Sequence, residues 1–408
     1  MNLKMQEHQI IGVFESNIKI QKKVDILKKL TLEEIDIKNI EKLFSNIQDT
    51  FLQREFISLI GRQRDVRYTN FLFSVLDNQD PKIIMQGIRA LLCLKNNEIN
   101  NKLETLAKHP NEMIRDYINA LFNRQQNKSI EYSVNKKIKN VVVLGNTLDV
   151  MKSVQSESVH LTFTSPPYYN ARDYSIYQSY NEYLEFLSQV FQELYRITHE
   201  GRFFIINTSP IIIPRAGRQF ASKRYPIPFD IHRYIIEAGF EFIDDIIWVK
   251  PEASVKNRNG GFQQHRKPLA YKPNTVTEYI MVYRKKTNKL IDWNIKQYKD
   301  DIVEQSKVRH EYETTNLWNI DPKSDKIHSA IFPDELCKRV ISFYSYVGDI
   351  VFDPFAGSGT FGKVALENNR NCFLTEINKE YFERIQSKLS GLFTNYVKYV
   401  PYSDFVNL

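Results

Sequence analysis

Residues 350–368 constrain the fold more than any other stretch of the chain. Ile350-Val351-Phe352 reads as a short buried strand, and Asp353-Pro354-Phe355-Ala356-Gly357-Ser358-Gly359-Thr360 leads from it into a helix over 360–368. A glycine-rich turn from strand to helix lets the backbone approach a ligand and aims free N–H groups at it. About twenty residues on, Cys372-Phe373-Leu374-Thr375 reads as a second strand ending in Glu376, an acid placed to accept hydrogen bonds from two ribose hydroxyls. A dinucleotide site or a ligand-free glycine turn would use the same geometry, so these residues alone leave the ligand open.

The surrounding texture fits the same class. Val141–Leu144, Val159-His160-Leu161-Thr162-Phe163, Phe203-Phe204-Ile205-Ile206, Ile246-Ile247-Trp248-Val249 and Tyr279-Ile280-Met281-Val282-Tyr283 read as buried strands. Helical segments over 180–197, 229–238 and 334–346 separate several of them. Strands alternating with helices predict an α/β fold with a parallel sheet and ligands at the strands' carboxyl ends.

Residues 1–128 differ. Apolar residues recur at helical spacing in Val24-Leu27-Leu30 and Phe56-Leu59-Ile60, with few Gly or Pro. Asp80-Pro81 and His109-Pro110 each open an apolar helical segment, which suggests either HEAT-like helical hairpins or a plain helical bundle. The polar run Asn123-Arg124-Gln125-Gln126-Asn127-Lys128 closes this N-terminal all-α domain, and we place a linker over 129–138. The α/β domain then spans 139–390, and 391–408 is read as a C-terminal tail.

At 408 residues two or three domains are expected. No apolar run reaches the roughly 18 residues of a membrane span, and the N-terminus lacks an export signal. Cys93, Cys337 and Cys372 are scattered without metal-ligand spacing, so we expect no metal and a reducing cytoplasm. The formal charge of +8 suits a polyanionic partner. The excess is local: Lys256, Arg258, Arg266, Lys267, Lys272, Arg284, Lys285, Lys286 and Lys289 stand against only Glu252 and Glu278 over 251–290. A solvated basic face would carry the same charge.

A second rigid turn, Thr164-Ser165-Pro166-Pro167-Tyr168, follows the strand 159–163 directly. An exocyclic base amine is a poor nucleophile, because its lone pair is delocalised into the ring. Acceptors such as the Ser165 hydroxyl and the Pro166 carbonyl can hold its hydrogens and aim the lone pair, while Tyr168 offers a flat face to a base taken out of the duplex. Alone, this string is an ordinary Pro-Pro turn.

Together, the two turns resemble the motifs of the DNA methyltransferases that modify exocyclic amines, the N4-cytosine/N6-adenine family. The resemblance covers roughly 138–390. It implies a Rossmann-like AdoMet-dependent methyltransferase fold, S-adenosyl-L-methionine (AdoMet) as cofactor, and a cofactor site at Asp353, Phe355, Ala356, Gly357, Ser358, Gly359, Thr360 and Glu376. Catalysis would fall to Ser165, Pro166, Pro167 and Tyr168, and serine in the first place points to cytosine N4 over adenine N6. Leu144-Gly145-Asn146 resembles a further family segment, although Asn146 replaces the usual Asp and weakens the contact expected there with the cofactor's adenine. His328-Ser329-Ala330-Ile331-Phe332-Pro333 would help close the methionine pocket with Phe332, and Ile247-Trp248-Val249-Lys250-Pro251 matches another segment.

The catalytic turn precedes the cofactor turn, which is the family's β-type order and implies a circularly permuted sheet. The catalytic half is then 139–285, the target-recognition region 251–325 and the AdoMet-binding half 326–390. Arg215, Arg218, Lys223, Arg224, Lys250, His265, Arg266, Lys267 and Lys272 are candidate contacts to double-stranded DNA, and 1–128 is expected to help grip DNA or a partner. A cognate restriction endonuclease and a homodimer follow from the same resemblance. Alternatives are an adenine-N6 enzyme, an RNA or protein-amine methyltransferase, and a non-catalytic helical-repeat interaction protein.

Overall fold

The computed structural model describes residues 3–5, 12–14, 16, 18–32, 37–94, 96, 98–123, 134–169, 177–213, 219, 223–255, 268–269, 273–323, 331–393 and 396–408. The chain divides into two compact units, Met1–Lys128 and Ser129–Leu408.

In the first unit, helices Ile20–Lys29, Thr50–Gln63, Pro81–Leu91 and Glu112–Asn123 contact one another in succession. Helix Ile37–Asn46 meets Thr69–Val75 in a second layer. Asp80 caps the helix that Pro81 opens by accepting the Lys82 N–H. The second and third helices of the first layer touch closely: a Cβ on Gly61 would sit 2.8 Å from the Ala90 Cα. A three-residue parallel ladder, Leu3–Met5 with Leu30–Leu32, is added to this helical unit.

The second unit is built on a nine-stranded sheet. Its strands are β1 (Val141–Leu144), β2 (Val159–Thr164), β3 (Thr198–Thr208), β4 (Phe240–Val249), β5 (Thr277–Lys285), β6 (Leu317–Asn319), β7 (Ile350–Asp353), β8 (Asn371–Glu376) and β9 (Lys398–Pro401). Their order is β6-β4-β5-β3-β2-β7-β8-β1-β9, and every neighbouring pair is parallel except those β5 makes with β3 and β4. The strand β7, late in the chain, lies at the centre beside the early strand β2, so the sheet has the permuted order expected from the motifs. Each strand the sequence suggested is present.

Helices cover both faces. On one side lie α1 (Thr147–Lys152), α2 (Tyr180–Ile197) and α3 (Ile227–Glu237), and on the other α4 (Asp334–Tyr344), α5 (Thr360–Glu367) and α6 (Lys379–Leu392). Their starts are written locally. Ser179 accepts the Glu182 N–H at 3.1 Å, and the Glu182 carboxylate reaches back to the Gln178 N–H at 2.7 Å. Asn378 caps α6 through the Glu380 and Tyr381 N–H groups.

Two expectations are corrected. Residues 398–406 are not a tail: β9 pairs with β1, and the helix Tyr402–Val406 buries Phe405 completely. A four-residue parallel edge strand finds its partner some 250 positions away, beyond the reach of local pattern. The stretch 251–325 is also not wholly free to read DNA, because β5 takes residues 277–285 into the sheet. Arg284 donates to the Gly201 carbonyl and Asn294, Lys285 to the Thr198 carbonyl and Glu157, and Lys289 to Glu200. Those three cations hold the protein's own elements together.

Candidate functional site

The carboxyl ends of β1, β2, β7 and β8 converge on one cavity of about 440 Å³. The two turns of the sequence reading meet there. Thr164 Oγ1 donates to Asp353 Oδ1 at 2.6 Å across 189 positions of chain, and the Phe355 N–H donates to the same oxygen at 3.0 Å. Asp353 is buried, and burial pushes its carboxyl up to about 7, against the lowering effect of those two hydrogen bonds; the Glu376 charge raises it further.

Glu376 closes the other side of the β7–α5 turn. One carboxylate oxygen accepts the Gly357 N–H and the other the Asn378 N–H, both at 2.8 Å. Burial raises its pKa, while these backbone donors lower it. A carboxylate offers about four lone-pair sites, so two backbone donors leave room for a diol. Gly357 holds φ 51°, the left-handed conformation that a glycine accepts freely.

Asn146, Phe332, Phe355, Ala356, Ser358 and Thr360 also line the cavity. Asn146 has a local task as well, accepting the Leu148 N–H at 2.9 Å to start α1. Phe332 stacks on Phe163 at 4.6 Å. Gly359, expected at the cofactor, is not on the cavity wall. Its N–H goes to the Ala356 carbonyl at 2.8 Å, and a Cβ there would meet Ile385 at 2.9 Å, so this glycine seats α5 against α6.

Ser165, Pro166, Pro167 and Tyr168 line the same cavity. Enclosure raises the Tyr168 phenol, the Glu278 charge adds to the rise, and Ser209 and Ser165 hydrogen-bond its hydroxyl. The Ser209 contact is 3.4 Å.

Lys250 was expected among the contacts to DNA. The structure places it in the cavity wall, ion-paired with Glu278 and 4.3 Å over the Trp248 ring. Lys223 and Arg224 are exposed on a small antiparallel ribbon, Ile211–Ile213 with Lys223–Tyr225. Arg215, Arg218, His265, Arg266, Lys267 and Lys272 lie outside the described residues.

Asn207, Glu278, Lys323, Tyr177 and Phe186 line the cavity without having been expected there. So does Ile377, 64% exposed; in the sequence the signal open to notice was an isoleucine directly after the strand-end acid. Among the described residues no group of His, Cys, Asp and Glu could hold a metal ion, and no helix is long and apolar enough to cross a membrane.

A family model of DNA methylases, the N6/N4 type, matches residues 159–387, more than half of the chain. The chain is similar to the Type II beta methyltransferase M.BslI of Bacillus sp. (strain NEB-606), 24% identical over 396 residues, covering 92% of this chain. It spans only 42% of that relative's length. The orphan methyltransferase M.BamHII of Bacillus amyloliquefaciens is 33% identical over 262 residues, covering 57% of this chain and 89% of its own. Among solved structures, TTHA0409 of Thermus thermophilus, a candidate DNA modification methylase complexed with S-adenosyl-L-methionine, aligns with TM-score 0.51 and 25% identity. That alignment covers 65% of this chain and 98% of TTHA0409.

Proposed function

The chain belongs to the N6/N4 DNA methylase family in its β-type order, and on that premise we propose that it transfers a methyl group from AdoMet to the N4 amine of cytosine in double-stranded DNA. The observation that carries this reading is the Thr164–Asp353 hydrogen bond, which fixes the Ser-Pro-Pro-Tyr turn and the cofactor turn on one cavity.

The residues present fit the cofactor. Glu376, anchored by two backbone donors, would accept the ribose hydroxyls, and the left-handed turn at Gly357 brings backbone close to the methionine part. Phe355 and Phe332, which line the cavity, would supply apolar walls, and Asn146 and Ile377 would hold the adenine. AdoMet, when bound, supplies an electrophilic methyl on a positively charged sulfur that leaves neutral.

Ser165 and Pro166 then do the work on the base. The Ser165 hydroxyl oxygen and the Pro166 carbonyl accept the two amine hydrogens, which turns the nitrogen lone pair toward the methyl. Tyr168 stacks against the flipped ring, and its hydroxyl contacts to Ser209 and Ser165 hold the aromatic plane. The amine attacks in line, and the proton that the methylated nitrogen sheds passes by the Ser165 hydroxyl to solvent. Rate comes chiefly from positioning.

Serine at 165 supports cytosine as the base. The exposed cations of the 223–225 ribbon and the helical unit 1–128 are the surfaces we assign to DNA or a partner protein. The similarity to Type II methyltransferases supports a cognate restriction endonuclease as that partner. The test of base choice is direct. Duplex DNA incubated with the protein and AdoMet is digested to nucleosides and weighed by mass spectrometry. N4-methylcytosine is expected, and N6-methyladenine would overturn this reading.

A further inference from the structure

A base that reaches Ser165 has to leave its duplex at the mouth of the cavity, so the elements on that rim meet DNA. One of them is the antiparallel ribbon of Ile211–Ile213 and Lys223–Tyr225. Only Ser209 and Pro210 separate it from β3, whose Asn207 lines the cavity, and Ser209 contacts the Tyr168 hydroxyl at 3.4 Å. Its second strand is tied to the residue after the catalytic turn. Tyr225 meets Tyr169 edge-on at 5.0 Å and lies 4.4 Å from the Tyr180 ring. Both strands of the ribbon are thus rooted beside the ring proposed to stack the target base.

Side chains alternate between the two faces of such a ribbon, and residues directly opposite each other share a face. Ile211 pairs with Tyr225, Ile212 with Arg224 and Ile213 with Lys223. Ile211, Ile213 and Tyr225 pack into one core cluster, which makes theirs the inner face. Lys223 shares it and lies 4.8 Å over the Tyr225 ring. The outer face carries Ile212 and Arg224, opposite each other. Ile212 is only half-buried and belongs to none of the core clusters. Arg224 is exposed, with no ion-pair partner among the described residues. An apolar side chain and a free guanidinium therefore stand together on the outward face of an element at the rim.

We propose that this outer face enters the duplex beside the target, with Ile212 as an apolar wedge in the opened stack and Arg224 on an adjoining phosphate. This inference rests on the reading above that the target base is taken out of the duplex. Extrusion costs the base its pairing and stacking, and the gap it leaves is open to its return. An apolar side chain lodged in that gap favours the open state. A guanidinium matches a phosphate with two parallel N–H donors and so tethers the strand at the same place. The root of the ribbon touches Tyr168 through Ser209, so the element that holds the stack open also adjoins the ring that receives the base.

The test compares two duplexes carrying a site mapped by sequencing DNA that the wild type has methylated. In one the target faces its complement. In the other it faces an abasic site and is already unpaired. Ile212→Ala should lose about 10- to 100-fold in kcat/KM on the paired duplex and less than about 3-fold on the abasic one. Ile212→Leu, which keeps the wedge, should stay close to wild type on both. Arg224→Ala should weaken binding to the two duplexes alike and reduce the slope of log Kd against log salt by about one. AdoMet binding and melting temperature of all three variants should match wild type. Equal losses by Ile212→Ala on the two duplexes, or no loss on the paired one, would overturn the wedge. An unchanged salt slope in Arg224→Ala would overturn the phosphate contact. A 2-aminopurine at the target position should brighten when wild type binds, and no rise would instead overturn the base extrusion on which the proposal rests.

Discussion

Asp353 sits buried between Thr164 and the Phe355 N–H, and burial pushes its carboxyl up to about 7. Its unfolded value is the ordinary 3.8. A carboxyl raised on folding contributes stability in its protonated form, fully present below about pH 4 and lost as pH rises through 7. Asp353→Asn keeps an acceptor for both donors and removes the titration. Urea unfolding should therefore show Asp353→Asn gaining on wild type between pH 4 and 8, by up to about 4 kcal/mol. A difference independent of pH would contradict the assigned burial. At this scale residue type and position in the sequence, Glu376 at a strand end and Ser165 before two prolines, were enough to pick out two residues that line one cavity. The glycines said less than they seemed to, since Gly357, Gly359 and Gly362 also carry the spacing of a dinucleotide site. What distinguishes this turn is the Thr164–Asp353 bond, and no pattern in either turn announces a partner 189 positions away. Lys250 shows the same limit: a lysine near other cations reads as a surface charge until the strand register sets Trp248 opposite Glu278 and brings Lys250, two residues on, within ion-pair reach of that acid.

Elements were legible when long and periodic. The seven inner strands follow from apolar runs, and α2, α3, α4 and α5 from the helical segments between them, while the structure adds the caps Ser179 and Asn378 that start α2 and α6. The edge of the sheet was not, because Lys398-Tyr399-Val400-Pro401 is short, ends in proline and depends on β1 for its pairing. Its anchor is Phe405, which is fully buried and stacks on Phe373 at 6.0 Å. Phe405→Ala should destabilise the methyltransferase unit by about 3–5 kcal/mol, measured by denaturant unfolding. A loss below about 1 kcal/mol would mean that the C-terminal strand and helix are not part of the sheet's cooperative core. The basic stretch 251–290 shows the converse error, where composition overstated function. Arg284, Lys285 and Lys289 reach Gly201, Thr198 and Glu200 with their long stems packed inward, which leaves fewer cations for phosphate than the count suggested.

At the level of the whole chain, permutation is the organising fact. The catalytic turn ends β2 and the cofactor turn ends β7, and the sheet sets these strands side by side although most of the methyltransferase unit separates them. Motif order alone was enough to expect that arrangement. The DNA-reading surface was not recoverable in the same way, since phosphate contacts require only charge, and charge is also what holds β3, β5 and their neighbours together. Everything else depends on the two turns forming one working site. That is tested by following labelled methyl from AdoMet into duplex DNA with wild type and Ser165→Ala, alongside AdoMet binding to each. Wild type should label the duplex, and Ser165→Ala should lose about 100-fold or more in rate while binding AdoMet as tightly as before. Undiminished transfer by Ser165→Ala, or no transfer to duplex DNA by wild type, would contradict a shared site.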